Sequence, residues 1–389
     1  MTNCPSPVVL CDANFSCIPL ALSIQGRGHG LSVCGGLPAD PCHQYGNSSL
    51  DIDYSNESLL LEVVRKAGAQ FLVAGCNDRS YLSCSYVAEQ LGLPGYDSYE
   101  TTLLLQEKDR FRTYATRQGY PIPRLFEDSK DAVVFPVLVK PIDAFSGRGI
   151  SKVEGLAELP LAIENARASS QRGKVIVEAF VEGSLHSHSA FIRNGRIVLE
   201  FFVDEFCTVY EYQVNSSCLS TALTRRVRSD VHNCIAQVVT DLGLCDGLLH
   251  TQFIARDEKF WLIELTRRCP GDLYSSLVQY STGIDYASLY VSGFLGESVP
   301  ENVASKERRY IARHTASTQD AGYLFGLRHE VPARDVKILQ LKKCGDYLKA
   351  APFDKAAILF AEFYDEKQMS VITPHLRDFI DFDMLPLAK

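Results

Sequence analysis

The sequence lacks the features that define several classes of protein. No apolar run approaches the roughly 20 residues that a helix needs to span a bilayer. The amino terminus has no basic segment followed by a long apolar stretch, which is the pattern of a secretory signal. Lysine and arginine number 39 against 47 acidic residues, and the net charge of −8 argues against broad binding to nucleic acid or membrane surfaces. We therefore expect a soluble, cytoplasmic protein.

Cysteine is present, but not in the spacing of a zinc site or a disulfide framework. None of the 13 cysteines forms a C-x-x-C pair, and their number is odd. Several lie inside apolar segments, as Cys11, Cys34 and Cys234 do. We predict reduced thiols that serve as small core residues.

The two common glycine motifs of nucleotide-binding proteins are absent or out of context. No P-loop of the form G-x-x-x-x-G-K-[ST] occurs. Gly26, Gly28 and Gly30 form a G-x-G-x-G string, but this string follows a predicted helix instead of the first predicted strand. We interpret it as a turn that enters the second strand, and NAD is not expected.

The chain of 389 residues is too long for one ordinary core and predicts several domains. In the first hundred residues, predicted strands alternate with predicted helices, which indicates a parallel α/β region. One helix is predicted from 101 to 119. Antiparallel hairpins then follow, and the Asn194-Gly195 turn is the strongest signal among them. The predicted strands are 8–10, 31–34, 71–74, 137–140, 175–181, 187–192, 196–203, 249–255, 259–264, 337–341 and 357–364, and the other predicted helices are 17–24, 57–67, 80–91, 230–242 and one near His375.

Three segments carry residues suited to phosphate or metal chemistry. In the first, Lys140 ends a predicted strand, and Ser146, Gly147 and Gly149 follow in a small loop. A fixed cation beside backbone N–H groups suits phosphate oxygens, although many ordinary strand-to-loop transitions contain the same residue types.

The second segment runs from Glu178 to Gly183. Extended backbone beside an acidic residue can recognise adenine through main-chain groups, with Phe180 or Val181 packing on the ring. The alternative is an ordinary strand that a glycine ends.

The third segment is a predicted hairpin that places Gln252 beside Glu264. Strand alternation puts Glu264, Thr266 and Arg268 on one face. Hard oxygen ligands suit magnesium and a guanidinium suits phosphate or carboxylate. A surface ion pair between Glu264 and Arg268 is the alternative.

Taken together and in this order, the segments resemble the ATP-grasp superfamily of ligases. The family pattern begins with a lysine before a G-x-P-x-P turn, here Lys108 before 119–123, and continues with the V-K-P strand and its glycine loop at 139–149. It ends with E-x-[FY]-[VI]-x-G at 178–183, H-x-[EQ]-[FL] at 250–253 and E-x-[NT]-x-R-x-x-G at 264–271. The resemblance implies an ATP-grasp fold of mixed α/β and α+β class. Its expected parts are an amino-terminal parallel α/β domain (1–100), a small lobe with a linker helix (101–182), a large lobe (183–300) and a carboxyl-terminal lobe (301–389).

The resemblance also implies roles for the matching residues. Lys108 and Lys140 would contact the phosphates of ATP, the loop around Gly147 and Gly149 would cover them, and Arg268 would stabilise the charge of the transferred group. Glu178, with Phe180 and Val181, would recognise adenine, and His186 would contact the ribose. Gln252, Glu264 and Thr266 would bind Mg²⁺ (or Mn²⁺).

The sequence departs from the family at two positions. Many members have glutamate where this chain has Gln252, although the carbamoyl-phosphate synthase branch also uses glutamine. Most have asparagine where this chain has Thr266, and a threonine hydroxyl is a weaker ligand, so a second metal ion is in question. His186 matches the biotin carboxylase branch, whereas other branches have a glutamate at the position of Leu185.

The resemblance implies an ATP-dependent carboxylate–amine ligase that works through an acyl phosphate. Two alternatives stay open, a bicarbonate- or biotin-dependent carboxylase and a nucleotide-binding protein that has lost catalysis. The expected partners are a small carboxylate and a small amine, with no nucleic acid and no membrane, and a homodimer is one option for the assembly. The candidate substrate residues are Arg225, Arg226, Gly271 and Asp272.

Overall fold

The structure is a computed structural model that describes residues 7–126, 134–143, 147–301, 303, 305 and 308–386. Ser146, assigned to the glycine loop in the sequence, lies outside these residues. Among the described helices, none is both long enough and apolar enough to cross a membrane. The twelve described cysteines are all free, as predicted, and Cys11, Cys34 and Cys234 lie within strands or a helix.

The first part of the chain forms a four-stranded parallel sheet with helices around it, as the sequence predicts. Its elements are β1 (Pro7–Cys11), α1 (Ile18–Gly26), β2 (Gly30–Cys34), β3 (Ser48–Leu50), α2 (Glu57–Lys66), β4 (Phe71–Ala74) and α3 (Asp78–Leu91). The strand order is β3-β2-β1-β4, so β1 lies between β2 and β4. The glycine string runs from the last residue of α1, Gly26, to the first residue of β2, Gly30, which confirms its interpretation as a turn into the second strand. The sequence did not predict β3, a strand of only three residues, two of them exposed.

Two helices, not one, connect this sheet to the rest of the chain. They are α4 (Tyr99–Gln106) and α5 (Lys108–Gln118). The predicted single helix over 101–119 is therefore wrong at Glu107, where the backbone is extended, with φ −79° and ψ 113°. The Glu107 carboxylate pairs with Arg110, at 2.7 Å, and with Arg172, at 2.6 Å. The break makes Lys108 the first residue of α5.

A small antiparallel sheet follows, with the elements β5 (Val137–Pro141), β6 (Ser151–Val153), α6 (Leu159–Ala168) and β7 (Val175–Ala179). The strand order is β6-β5-β7. Apolar side chains of α6 and β5, among them Ala162, Ala166, Val137 and Val139, form its core. The last strand ends two residues earlier than predicted, because Pro136, which accepts from the backbone N–H of Phe180 at 3.0 Å, has no N–H to return a second hydrogen bond.

The rest of the chain is built around an eight-stranded antiparallel sheet. Its first elements are β8 (Ser184–Arg193), β9 (Arg196–Phe206), β10 (Ser216–Leu219), α7 (Arg225–Leu242), β11 (Gly247–Arg256) and β12 (Lys259–Thr266). The turn between β8 and β9 has positive φ at both Asn194 (50°) and Gly195 (72°), as predicted for this dipeptide. The helix α7 begins five residues before its predicted start at Asp230, because the Thr224 hydroxyl accepts a hydrogen bond from the N–H of Val227 and caps it.

The later strands continue the same sheet. The remaining elements are α8 (Tyr274–Thr282), α9 (Tyr286–Phe294), β13 (Tyr310–Ala316), β14 (Gly322–His329), β15 (Asp335–Gln340), β16 (Tyr347–Leu348), β17 (Ala357–Phe363), α10 (Glu366–Ile372) and β18 (Ile380–Pro386). The order is β12-β11-β8-β9-β10-β13-β17-β15, while β16, β14 and β18 form a separate three-stranded sheet. The domain boundary predicted at residue 300 therefore separates β10 from β13, although these two strands are hydrogen-bonded neighbours in one sheet.

The two faces of the large sheet have different neighbours. Residues that face each other across adjacent strands share a face, and successive residues alternate. One face, which carries Phe202 and Phe253, packs against the apolar side of α7. The other carries Phe191 and Phe201, and packs against α8, α9 and the amino-terminal core. We call these the α7 face and the inner face.

Candidate functional site

The predicted phosphate lysine is buried in an ion-pair cluster of the small lobe. Lys140, at the end of β5, is 6 % exposed, and its ammonium group contacts Oε1 of Glu178. Arg112 of α5 donates to Oε2 of the same carboxylate at 3.1 Å. Burial opposes ionisation of Glu178, but the two cations hold its pKa below the usual range. Burial lowers the pKa of Lys140, against the attraction of Glu178.

Glu178 therefore uses its side chain within the protein. Its carboxylate binds Lys140 and Arg112, so adenine recognition in this segment is left to the backbone and to neighbouring side chains. Phe180 and Val181 follow the strand and are partly exposed. The ammonium group of Lys152 lies 4.4 Å from the centre of the Phe180 ring. Adenine binding by this segment stays a prediction.

The described part of the glycine loop requires glycine at both predicted positions. Gly147 and Gly149 have φ of 72° and 71°, a conformation that disfavours other residues. A Cβ on Gly147 would lie 2.9 Å from the backbone of Tyr212, and one on Gly149 would lie 2.5 Å from Cβ of Ser169. The loop thus approaches the segment between β9 and β10.

His186 lies on the α7 face with both ring nitrogens in hydrogen bonds. Nδ1 is 2.8 Å from Oδ1 of Asp204, and Nε2 is 2.7 Å from the hydroxyl of Ser184. The ring stacks on Phe253 and is 1 % exposed. A ribose contact, as expected from the resemblance, would require His186 to give up one of these partners.

The predicted metal ligands meet on the inner face, as the hairpin pattern indicated. Gln252 pairs directly with Glu264 across β11 and β12. The Gln252 amide also donates to Oε2 of Glu205 on β9, at 2.7 Å. Burial raises the pKa of Glu205, against hydrogen bonds from Ser187 and Gln252. Glu205 has no motif in the sequence that predicted a role for it.

The side-chain oxygens of Gln252 and Glu264 suit a magnesium ion whose other ligands include phosphate oxygens of a nucleotide. Mg²⁺ commonly takes one or two protein carboxylates and completes its shell with water and phosphate oxygens. Within the described ranges, no three His, Cys, Asp or Glu side chains are grouped closely enough to hold a metal ion by themselves. Glu264, with Gln252, would hold the ion, which would neutralise phosphate charge.

Arg268 and Thr266 both reach the amino-terminal domain. Nε of Arg268 lies 2.6 Å from Oδ1 of Asp78, and the Thr266 hydroxyl donates to the same oxygen at 3.3 Å. Lys108 adds to the positive potential at this point, because it lowers the pKa of Asp78 together with Arg268, against the effect of burial. Arg268 and Lys108 are thus brought together, whereas the hydroxyl of Thr266, a predicted metal ligand, is turned to Asp78.

Asp272 contacts the amino-terminal domain, the strand β13 and the segment that precedes β17. Its N–H donates to the Ser16 hydroxyl at 2.9 Å, and its carboxylate contacts Lys355 and, at 2.9 Å, the Thr315 hydroxyl. Arg313 donates to its carbonyl oxygen at 3.0 Å. Burial opposes ionisation, but Lys355 and Arg313 hold the pKa of Asp272 below its usual range. Gly271, next to it, is partly exposed.

The other two candidate substrate residues lie apart from Asp272. Arg225 and Arg226 are exposed in the first turn of α7. Arg226 pairs with Glu258, at 3.0 Å, and with Asp230, at 3.8 Å. The structure does not bring them to the inner face.

A cavity of about 430 Å³ opens at the carboxyl edge of the parallel sheet. Open α/β sheets commonly bind ligands at this edge. Its polar lining includes Asp12, Asp40, Asp53, Tyr54 and Arg79. It adjoins the Arg268 site, because Arg79 follows Asp78 in α3.

Several residues of the site have no signal, or only a weak signal, in the sequence. Arg112 is the exception, since it is a charged residue between Phe111 and Ala115 on the buried side of α5. The residues without such a signal are far from their partners along the chain: Asp78, Glu205, Arg313 and Lys355.

Comparison with known proteins agrees with this geometry. Residues 133–276 match the model of the ATP-grasp domain family. The carbamoyl phosphate synthase large chain of Rubrobacter xylanophilus is 21 % identical over 299 residues, which cover 74 % of this chain but 28 % of that protein. The chain therefore spans under a third of the length of this relative.

Solved structures of low sequence identity share the fold. The L-amino acid ligase from Bacillus licheniformis is 15 % identical with a TM-score of 0.79, and the match covers 99 % of this chain and 100 % of that one. The biotin carboxylase from Campylobacter jejuni is 16 % identical with a TM-score of 0.73, and the match covers 98 % and 92 %. The chain thus has the ATP-grasp fold, with a match to the ATP-grasp domain family over residues 133–276.

Proposed function

We propose that the chain is an ATP-dependent ligase that joins a carboxylate to an amine and releases ADP and phosphate. The observation that carries the proposal is a polar row on the inner face of the large sheet. Glu205, Ser217 and Arg313 face one another across β9, β10 and β13, and Glu205 also accepts a hydrogen bond from Gln252. A substrate anion at Arg313 would therefore lie on the same face as the candidate metal ligands.

Two buried donors in this row support an anionic ligand. Nε of Arg313 and the hydroxyl of Ser217 have no hydrogen-bond partner within the described residues. Buried polar groups are nearly always partnered, because an unpaired one costs free energy. A carboxylate would accept hydrogen bonds from both groups.

Each residue then has a role in the reaction. Arg313 holds the substrate carboxylate, whose oxygen attacks the γ-phosphorus of ATP, and ADP leaves. Lys140, Lys108 and Arg268 stabilise the charge on the phosphate oxygens, and such positioning provides most of the catalysis in phosphoryl transfer. The amine then attacks the acyl carbon, inorganic phosphate leaves, and the amine loses a proton.

The carboxyl-edge cavity suits the amine substrate. Asp12, Asp40 and Asp53 supply negative charge for an ammonium group. Burial and the charge of Asp12 raise the pKa of Asp40, whereas the nearby His43 acts in the opposite direction. We expect Asp40→Asn to raise KM for the amine more than KM for ATP.

Product analysis tests the proposal. The full chain is incubated with ATP, Mg²⁺ and pools of amino acids and other small carboxylates and amines, and the nucleotide products are separated. ADP with inorganic phosphate, and a hydroxamate when hydroxylamine replaces the amine, would support an acyl phosphate. AMP with pyrophosphate would exclude it.

The same assay separates the two other functions that the fold permits. Turnover that depends on bicarbonate would indicate a carboxylase. ATP binding without ADP release from any pool would indicate a nucleotide-binding protein without catalysis. The Thr266 hydroxyl, which is turned to Asp78, would be consistent with that outcome.

A further inference from the structure

A second cavity lies on the α7 face of the large sheet, away from the candidate ligase site. It has a volume of about 280 Å³. Strand alternation places Glu200 and Phe202 on this face of β9, whereas Glu205 of the same strand lies on the inner face. The lining residues are Glu200, Phe201, Phe202, Leu219, Ser220, Arg228 and Arg308.

Two arginines line the cavity. Arg228 is half-buried on α7, with its guanidinium 5.1 Å from the centre of the Phe202 ring, and it donates to the carbonyls of Ser220, at 2.8 Å, and Leu223, at 3.3 Å. Within the described part of the chain it forms no ion pair. Burial lowers the pKa of Arg228, and the charge of Arg308 acts in the same direction, against Asp204 and Glu200.

The acidic groups around the cavity are already engaged. Oε2 of Glu200 accepts hydrogen bonds from His188 and His232, each at 2.9 Å. Asp204 accepts from the backbone N–H of Thr221 at 2.9 Å and bonds to His186. Arg308, on the exposed rim, pairs with Glu366 at 3.3 Å. The cavity thus holds two cations, and among the described lining residues the single carboxylate, that of Glu200, is bound to two histidines.

We propose that this cavity is an anion site that binds a phosphate group between Arg228 and Arg308. Guanidinium groups form paired, charge-assisted hydrogen bonds with phosphate oxygens. The Phe202 ring gives the cavity an apolar side that suits the organic part of a phosphomonoester. The site is separated from the ligase site by the sheet itself.

Calorimetric titration with inorganic phosphate tests the proposal. The nucleotide site is first saturated with a non-hydrolysable ATP analogue and Mg²⁺, so that phosphate binding there is blocked. We expect one phosphate per chain, and we expect Arg228→Gln and Arg308→Gln each to weaken its binding by about tenfold. Acetate, titrated in the same way, should bind much more weakly.

Matched variants make the result decisive. Arg334→Gln removes an exposed arginine that pairs with Glu362 and does not line the cavity, and it should leave phosphate affinity unchanged. Arg308 lies on the exposed rim, so its variant decides the matter if Arg228→Gln does not fold. No phosphate binding in the wild type, equal binding in the folded variants, or equal binding of acetate would overturn the proposal. None of these readouts requires ligase turnover, so failure of the proposed function leaves the test intact.

Discussion

Nε of Arg268 lies 2.6 Å from Oδ1 of Asp78, although 190 residues separate the two along the chain. The contact joins the end of β12 to the start of α3. It fixes the predicted phosphate arginine against the amino-terminal domain, and the Asp78 charge helps to raise the pKa of Arg268 against the effect of burial. Arg268 thus remains protonated.

Replacement of Arg268 should affect turnover more than nucleotide binding. We expect Arg268→Ala to lower kcat by at least about tenfold with a smaller change in ATP affinity, because its contact strengthens as charge builds on the transferred group. Asp78→Asn should lower kcat less, since it removes the group that positions the arginine. Steady-state kinetics and nucleotide titration measure both effects. A near-wild-type kcat in Arg268→Ala would contradict its role.

Lys140→Ala should weaken the binding of ATP–Mg²⁺ by about tenfold or more, because a charge-assisted phosphate contact is lost. Thermal stability should also fall, since Glu178 stays buried with only Arg112 as its partner. Calorimetry and thermal denaturation measure the two effects. Lys174→Ala, at an exposed position of the same lobe, is the control and should change neither. Unchanged ATP affinity in a folded Lys140 variant would place the phosphate site elsewhere.

Glu264→Gln should weaken nucleotide binding in the presence of Mg²⁺ and have little effect in its absence. The amide keeps the size of the side chain but removes the charge that attracts the ion. Glu258→Gln, in the turn of the same hairpin, is the matched control. Titrations with and without Mg²⁺ would contradict the assignment if the two variants behaved alike.

The stability of the protein should fall as the pH decreases from about 6.5 to about 3. Burial, with a smaller effect of Arg313, lowers the pKa of His314 to about 3, whereas a histidine in the unfolded chain has a pKa of about 6.5. The unfolded chain therefore binds the proton more readily in this range, and the free energy of unfolding should decrease by up to about 1.4 kcal/mol per pH unit.

Urea denaturation at several pH values measures this dependence. In His314→Gln the slope between pH 3 and 6.5 should be shallower than in the wild type. His375→Gln replaces an exposed histidine and should preserve the wild-type slope. Equal slopes in all three proteins would show that His314 titrates normally.

Local patterns predicted the parts of the site that lie within one hairpin or one strand end. The pairing of Gln252 with Glu264 follows from alternation in two adjacent strands, and Lys140 follows from a strand end beside a glycine loop. The break at Glu107 was not predictable from helical periodicity, because ion pairs with Arg110 and Arg172 accompany it. Partners from distant segments, such as Asp78 for Arg268, depend on how the domains pack.

The small lobe could be located from its motifs, but the extent of the large sheet could not. The predicted boundary at residue 300 follows from the resemblance, and no pattern in β13 indicates which strand it joins. Only the tertiary structure shows that Arg313 faces Ser217 and Glu205.

The continuity of the eight-stranded sheet limits how the protein can be divided. A fragment that ended at residue 300 would lose β13 and leave the N–H and C=O groups of β10 without their partner strand. Such an open edge is a template for pairing with other chains. Truncation there should therefore give an aggregating polypeptide instead of an independent catalytic core, and β13, β15 and β17 are better regarded as part of one folding unit with β8 to β12.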